Sequence, residues 1–80
     1  MEYTIIYKVY GCNEEGKPIL SAEFLNLKHA CKYAVATRGK IHYGLPEVIK
    51  YTYKYNPKTH TIDTEYEPIS TAQIYYMDKT

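Results

Sequence analysis

The chain has 80 residues, with 10 Lys or Arg against 9 Asp or Glu, so its net charge is +1. This length fits a single domain over residues 1–80 and leaves little room for the deep cleft that most enzymes need. The near-zero net charge also excludes the clearly basic character of domains that bind nucleic acid or membranes by charge alone.

Tyrosine is the dominant large side chain of this sequence. Leu, Ile, Val and Phe together supply only 16 residues, or 20% of the chain, whereas there are 11 Tyr, one Phe and no Trp. So low a content of these four residue types is close to the composition of disordered chains. We therefore expect tyrosine rings to help build the core, with their hydroxyls hydrated or paired.

Several features of the sequence bear on the cellular compartment of the protein. No apolar run approaches the roughly 18 residues of a membrane-spanning helix, and the first residues lack the basic and then apolar layout of a signal peptide. The two cysteines, Cys12 and Cys31, are too few for a disulfide scaffold. We expect free thiols in a cytoplasmic protein, with a structural disulfide as the less favoured alternative. Heavy use of Ile, Lys and Tyr is common in AT-rich genomes, from which we expect a bacterial or phage source.

The first predicted elements are two strands. Residues 3–10 are almost all β-branched or aromatic, which is typical of a strand. Apolar side chains fall on both of its faces, so we place it centrally in a sheet. Residues 11–17 form a turn, and Pro18 opens a second strand that reaches about residue 24.

An amphipathic helix is predicted over residues 27–37. Its apolar stripe, at the spacing of one helix face, consists of Leu27, Ala30, Cys31, Ala34 and Val35. Asn26 is a suitable N-cap, and Gly39 stands where a helix commonly stops.

A second hairpin follows, with strands over residues 47–55 and 60–67 around a turn at residues 56–59. If Tyr55 faces His60, paired residue numbers sum to 115, which sets Lys50 opposite Glu65. Rings and apolar groups then share the other face, where Ile49, Tyr51 and Tyr53 oppose Tyr66, Thr64 and Ile62. We assign the face with Tyr51, Tyr53 and Tyr66 to the interior, together with Tyr3 and Tyr7. Residues 71–77 are an optional fifth strand after the break at Pro68.

These elements predict an α+β fold: a single two-layer domain, ββαββ(β), in which one amphipathic helix packs across one face of one mainly antiparallel sheet. The element order is similar to the β-grasp layout of bacterial immunoglobulin-binding domains. The closest local match is the hairpin around Tyr53-Lys54-Tyr55 and Thr59-His60-Thr61-Ile62. The resemblance covers element order over most of the chain, and no binding residues are carried over from it.

Chemistry-bearing side chains form no recognisable set. His29, His42 and His60 are scattered over a helix, a loop and a hairpin, and Cys31 lies on the buried stripe, where a thiol is an inert apolar group. The acidic trio Asp63, Glu65 and Glu67 shares a strand face with Lys50 and Lys54, which favours a solvated salt-bridge face. We therefore expect no enzyme activity, no metal site and no cofactor.

Charge is unevenly distributed along the chain. Residues 24–46 contain no Asp or Glu and carry a local charge of +4, whereas residues 60–80 carry −3. The candidate partner-binding residues lie in the basic stretch: Lys28, Lys32, Tyr33, Arg38, Lys40, His42 and Tyr43. The alternative is the ordinary solvated face of an amphipathic helix. Tyr10, Tyr33, Tyr43 and Tyr75 are candidates for exposure.

The expected function is that of a small non-enzymatic binding module that contacts, and thereby inhibits, a protein partner. Counter-defence proteins such as anti-CRISPR inhibitors are built this way, which is an analogy without a shared motif. An acidic protein surface would suit the basic stretch, as would a site on nucleic-acid-handling machinery that normally holds nucleic acid. The alternative is direct nucleic-acid binding through the same basic residues. No membrane contact is expected. An unpaired edge strand, the second or the last, offers a route to a homodimer.

Overall fold

Two hairpins and two helices follow one another in the computed structural model, which describes residues 2–40 and 44–80. Within these residues the elements are β1 (Tyr3–Cys12), β2 (Pro18–Phe24), α1 (Leu27–Ala36), β3 (Glu47–Asn56), β4 (Thr61–Pro68) and α2 (Thr71–Asp78). The strands form one sheet in the order β2-β1-β3-β4, and every neighbouring pair is antiparallel. The predicted α+β domain, with a layer of sheet and a layer of helix, is confirmed.

The first hairpin forms where the sequence places it. Its turn is held by the Asn13 side chain, whose oxygen accepts hydrogen bonds from the backbone N–H groups of Glu15 and Lys17 at 2.9 and 3.0 Å. Gly16 takes a φ of 82°, a conformation that costs glycine little. The pairing register shifts between Val9 and Tyr10, which makes a bulge in β2. β2 is an edge strand, and β1 lies inside the sheet as predicted.

Helix α1 matches its prediction to within one residue at its end. The Asn26 side chain accepts a hydrogen bond from the His29 N–H at 3.2 Å and so caps the first turn. Thr37 ends the helix, and its hydroxyl donates to the Tyr33 carbonyl at 2.8 Å. Small side chains on the buried stripe let the helix lie close to the sheet.

The core lies between the sheet and the two helices. The side chains that are at most 2% exposed there are Val9, Ala30, Cys31, Ala34, Val48 and Ile74. Val9 and Val48 are direct partners across β1 and β3, so this pair marks the side of the sheet that the helices cover. Tyr7, Phe24 and Met77 pack at the margin of the cluster.

The optional fifth strand is a wrong prediction, because residues Thr71–Asp78 form α2. The Ser70 side chain accepts a hydrogen bond from the Gln73 N–H at 3.2 Å and starts the helix. Ile74 then enters the core and Met77 follows one turn later, the spacing of a helix face. Burial against α1 therefore outweighs the weak strand preference of Thr and Tyr in this segment. The resulting ββαββα order also departs from the β-grasp layout in its last element.

The second hairpin has a different register from the predicted one. Paired residues sum to 117, with Tyr51 opposite Tyr66, Lys50 opposite Glu67 and Lys54 opposite Asp63. The turn covers residues 57–60, one position later than predicted. The Asn56 side chain accepts from the Lys58 N–H at 3.0 Å, and His60 takes a positive φ of 53°. Because the register moves by two residues, the grouping of side chains by face is unchanged.

Candidate functional site

The side of the sheet that faces away from both helices carries five tyrosines. Side chains alternate along a strand, and Val48 points to the helices, so the odd-numbered residues of β3 point outward. The same alternation and the strand pairings place Tyr10 of β1 and Tyr66 of β4 on this side. We call this surface the tyrosine face; its members are Tyr10, Tyr51, Tyr53, Tyr55 and Tyr66.

The prediction that Tyr51, Tyr53 and Tyr66 line the interior is therefore wrong. The helices cover the side with Val9 and Val48, where the close approach of small residues such as Ala30 leaves little space for phenol rings. Tyr7 does pack against the core, but Tyr3 is 65% exposed. The pattern of β3 did not reveal this, since its outward residues are the larger apolar ones.

Ring contacts and one hydroxyl hydrogen bond join the tyrosine face across three strands. The rings of Tyr51 and Tyr53 are stacked, with centroids 6.2 Å apart and planes 13° apart. Tyr51 also meets Tyr66 across β3 and β4, at 6.2 Å and 36°. The hydroxyls of Tyr10 and Tyr51 are hydrogen bonded at 3.1 Å. This bond, followed by burial, raises the pKa of Tyr10 above its ordinary value.

One lysine lies among these rings. The Lys8 ammonium is 4.5 Å from the Tyr51 centroid and 5.7 Å from the Tyr53 centroid, which is cation–π distance. It also lies 3.6 Å from the Glu23 carboxylate. Hydrogen bonding to Tyr53 raises the pKa of Lys8, against a smaller opposing effect of burial. The positive charge of Lys8 is thus balanced by the carboxylate of Glu23 and by the neighbouring rings.

The rim of the tyrosine face is open to solvent. Tyr66 is 71% exposed and Ile62 is 64% exposed, both on β4, and Leu20 on β2 is 46% exposed. Ile6 and Ile49 are half-buried between the rings. The surface is therefore continuous, largely apolar and uncovered by any described element of the chain.

Two of the predicted partner-binding cations are engaged within the fold. The Lys32 ammonium donates to the backbone carbonyl of Asp78 at 2.6 Å, at the C-terminal end of α2, where a cation complements the helix dipole. The Arg38 guanidinium donates to the Tyr75 hydroxyl at 2.8 Å. Lys32 of α1 and Arg38, which follows the end of α1, thus both contact the segment around α2.

The other predicted partner-binding residues differ in their exposure. Tyr33 is half-buried and packs against Phe24 with centroids 5.4 Å apart. Lys28 is half-buried and Lys40 is exposed. His42 and Tyr43 lie outside the described residues. The basic stretch therefore offers fewer free groups than the sequence predicts, although its role in binding stays a prediction.

The acidic trio lies on the helix side of β4. Lys54 forms an ion pair with Glu65 at 3.0 Å. Asp63 and Glu67 make no ion pair with any residue in the part of the chain that the structure describes. The predicted neutralisation by lysines is thus found for one of the three carboxylates.

The thiols and metal-ligating groups are dispersed. Cys12 and Cys31 are both free, as expected. Cys31 is buried in the core, and this burial, followed by the charge of Asp78, raises the pKa of its thiol. Residues 2–40 and 44–80 contain no group of three or more His, Cys, Asp or Glu that could hold a metal ion.

Two further properties of the chain bear on function, its capacity to cross a membrane and its similarity to known proteins. No helix in the described residues has the length and apolar character needed to cross a membrane. Comparison with protein-family models, with curated proteins and with solved structures found no match to this chain. The surface chemistry of the sheet is therefore the property from which a function can be inferred.

Proposed function

We propose that this protein is a non-enzymatic binding module that captures a protein partner with its tyrosine face. The observation that carries the proposal is the uncovered cluster in which the ring of Tyr51 contacts those of Tyr53 and Tyr66, and its hydroxyl is bonded to Tyr10. Tyrosine brings a large contact area with few side-chain torsions to fix, which is why it is enriched at the energetic centres of interfaces. A contiguous exposed apolar patch of this kind is typical of an interaction surface.

The charge of the surface favours a protein over a nucleic acid. Lys8 is the one cation that the strand pattern places on this side of the described sheet, and Glu23 lies beside it. Affinity for nucleic acid depends on several cations that neutralise phosphates, whereas protein interfaces are depleted of charge at their centre.

Capture alone is sufficient for inhibition. A module that covers the functional surface of its partner blocks that surface without catalysing a reaction. We propose this mode of action for the present protein, acting as a counter-defence inhibitor. The partner of such an inhibitor would offer an apolar patch to the rings.

The test compares two exposed tyrosines of similar accessibility. Tyr66→Thr removes a ring from the tyrosine face but keeps a good strand former, whereas Tyr76→Ala removes a ring that is 60% exposed on α2. With a partner first identified by capture and mass spectrometry and then purified, we expect Tyr66→Thr to weaken binding by about tenfold or more. Tyr76→Ala should change affinity by less than about twofold.

A charge-reversal variant, Lys28→Glu/Lys40→Glu, tests the basic surface in the same titration. If this variant abolishes capture and Tyr66→Thr does not, the tyrosine face is not the contact. Binding to DNA or RNA that weakens steeply with salt would support the nucleic-acid alternative instead.

A further inference from the structure

We propose that β4 is a docking edge that accepts an extended segment of the partner protein, with basic side chains on one side of the segment and apolar ones on the other. The inference rests on the proposed function and deepens it, because it states how the partner reaches the tyrosine face. Three observations support it. β4 has backbone groups that point away from the sheet, its two faces carry different side chains, and the acidic side chains of a second copy would be repelled.

Among the described residues, none pairs with the outer edge of β4. β4 is the outermost strand of the sheet, and each of its 8 residues is exposed. Antiparallel ladders alternate between pairs that exchange hydrogen bonds and pairs that do not. The Ile69 N–H donates to the Val48 carbonyl at 2.8 Å, just beyond the last pair of β3 and β4.

Counting back from that bond gives the direction of each backbone group in β4. Asp63, Glu65 and Glu67 turn their N–H and C=O groups to β3. Ile62, Thr64 and Tyr66 turn theirs to the open edge. On the other side of β3, the Tyr55 N–H donates to the Glu2 carbonyl at 3.1 Å, which fixes the same phase independently.

The two sides of this edge differ sharply in chemistry. Ile62, Thr64 and Tyr66 continue the tyrosine face, whereas Asp63, Glu65 and Glu67 lie on the helix side. Opposite charges and matched apolar groups stabilise neighbours across strands. The complementary segment therefore alternates Lys or Arg with apolar or aromatic residues.

A second copy of the chain does not fit this edge. Two β4 strands paired about a two-fold axis would set the same acidic side chains of both copies against one another, and like charges facing each other across strands are destabilising. Asp63 and Glu67, which form no ion pair within the described residues, thus select a basic segment and repel the chain's own strand. At the opposite edge, β2 begins with Pro18 and carries the bulge, both of which oppose strand addition.

The test uses a synthetic peptide of the same length as β4, 8 residues, that alternates Lys with Val and has blocked ends. The control peptide has Glu in place of every Lys. Binding is followed by NMR amide hydrogen exchange of the full chain. We expect the Lys peptide to slow exchange of the Ile62, Thr64 and Tyr66 amides by about tenfold or more, because these N–H groups gain carbonyl partners.

The amides of Asp63, Glu65 and Glu67 should stay unchanged, since they are already bonded to β3. The Glu peptide should bind at least about tenfold more weakly than the Lys peptide. Equal binding of the two peptides, or protection that leaves Ile62, Thr64 and Tyr66 unaffected, would overturn the inference.

Variants connect the peptide to the natural partner. Thr64→Pro deletes an outward N–H that β3 does not use, and Thr64→Ala is the matched control that keeps it. We expect loss of peptide binding and of partner capture in the first variant only, with an unchanged circular dichroism spectrum. If Thr64→Pro fails to fold, peptides N-methylated at the amides facing β4 replace it, and their undiminished binding would contradict strand addition.

The two proposals fail in different ways. If Tyr66→Thr weakens capture while Thr64→Pro does not, the tyrosine face binds the partner and the edge does not. If neither variant changes capture, both proposals are wrong.

Discussion

At the scale of single residues, the tyrosine face depends on a few specific polar contacts within an aromatic surface. The hydroxyls of Tyr10 and Tyr51 satisfy one another at 3.1 Å, and Lys8 lies against two rings with a carboxylate beside it. These contacts fix the orientation of side chains that would otherwise rotate freely. A preorganised surface loses less entropy when a partner binds.

The hydroxyl pair gives a prediction that can be tested without a partner. Tyr51→Phe removes one hydroxyl and keeps the ring, so the pKa of Tyr10 should fall toward its ordinary value. The free energy of unfolding should fall by about 1 kcal/mol, since a partly buried hydrogen bond is lost. Ultraviolet titration of tyrosinate and urea unfolding measure the two effects.

Tyr66→Phe is the control for this experiment, because the Tyr66 hydroxyl makes no hydrogen bond within the described part of the chain. It should leave both quantities nearly unchanged. Equal destabilisation by the two variants would mean that the Tyr10–Tyr51 bond contributes nothing specific.

At the scale of elements, α2 depends on its cap and on its neighbours. It has only 8 residues, and helices of this length are not stable by themselves in water. Ser70 supplies the cap and Ile74 the core contact. Lys32 of α1 and Arg38, just beyond the end of α1, supply the polar contacts. The cations predicted to bind a partner thus also hold the helical layer together.

The cap leads to a second stability prediction. Ser70→Ala removes the acceptor for the Gln73 N–H and should lower the free energy of unfolding by about 1 kcal/mol. Ser70→Asp keeps an acceptor and adds a favourable charge at the helix start, so it should retain wild-type stability. Urea unfolding of both variants measures this, and equal losses would show that the hydroxyl does not cap α2.

At the scale of the whole molecule, a small core is combined with a large uncovered sheet surface. The described residues that are fully buried are mostly small, and the bulkier tyrosines lie outside them. Ionisable groups with shifted pKa values occur in both the core and the outer surface of the sheet. Cys31 belongs to the core, and Lys8 and Tyr10 belong to the outer surface.

The direction of these shifts predicts how stability changes with pH. Folding raises the pKa of all three groups, so each binds its proton more tightly in the folded than in the unfolded chain. The stability they contribute is complete near neutral pH and is lost as the pH rises through the alkaline range, from about 9 upward. Thermal unfolding should therefore move to lower temperature between about pH 8 and pH 10.5.

A double variant, Tyr10→Phe/Cys31→Ala, removes two of the three groups and should flatten this pH dependence relative to the wild type. A melting temperature that is constant or rises over the alkaline range would contradict the assigned directions. Circular dichroism at several pH values provides the measurement.

Local patterns in the sequence predicted much of the fold because the physics behind them is local. The spacing of Leu27, Ala30, Cys31 and Ala34 with Asn26 as cap is enough to define α1. Alternation in residues 47–67 groups the side chains of the second hairpin by face. The predicted register of this hairpin differs from the observed one by two residues. The register depends on the backbone conformation of the turn, in which His60 takes a positive φ, and the alternation of side chains does not determine that conformation.

The candidate site could not be predicted in the same way. The sequence by itself determined which tyrosines share a face and where the basic stretch lies, since both follow from side-chain periodicity. Only the tertiary structure decided which side of the sheet the helices cover and that residues 71–78 complete that cover as α2. The reason is that burial is a property of packing between distant segments: Val9, Val48 and Ile74 meet the small residues of α1, and the larger rings of Tyr51 and Tyr53 are left on the outside.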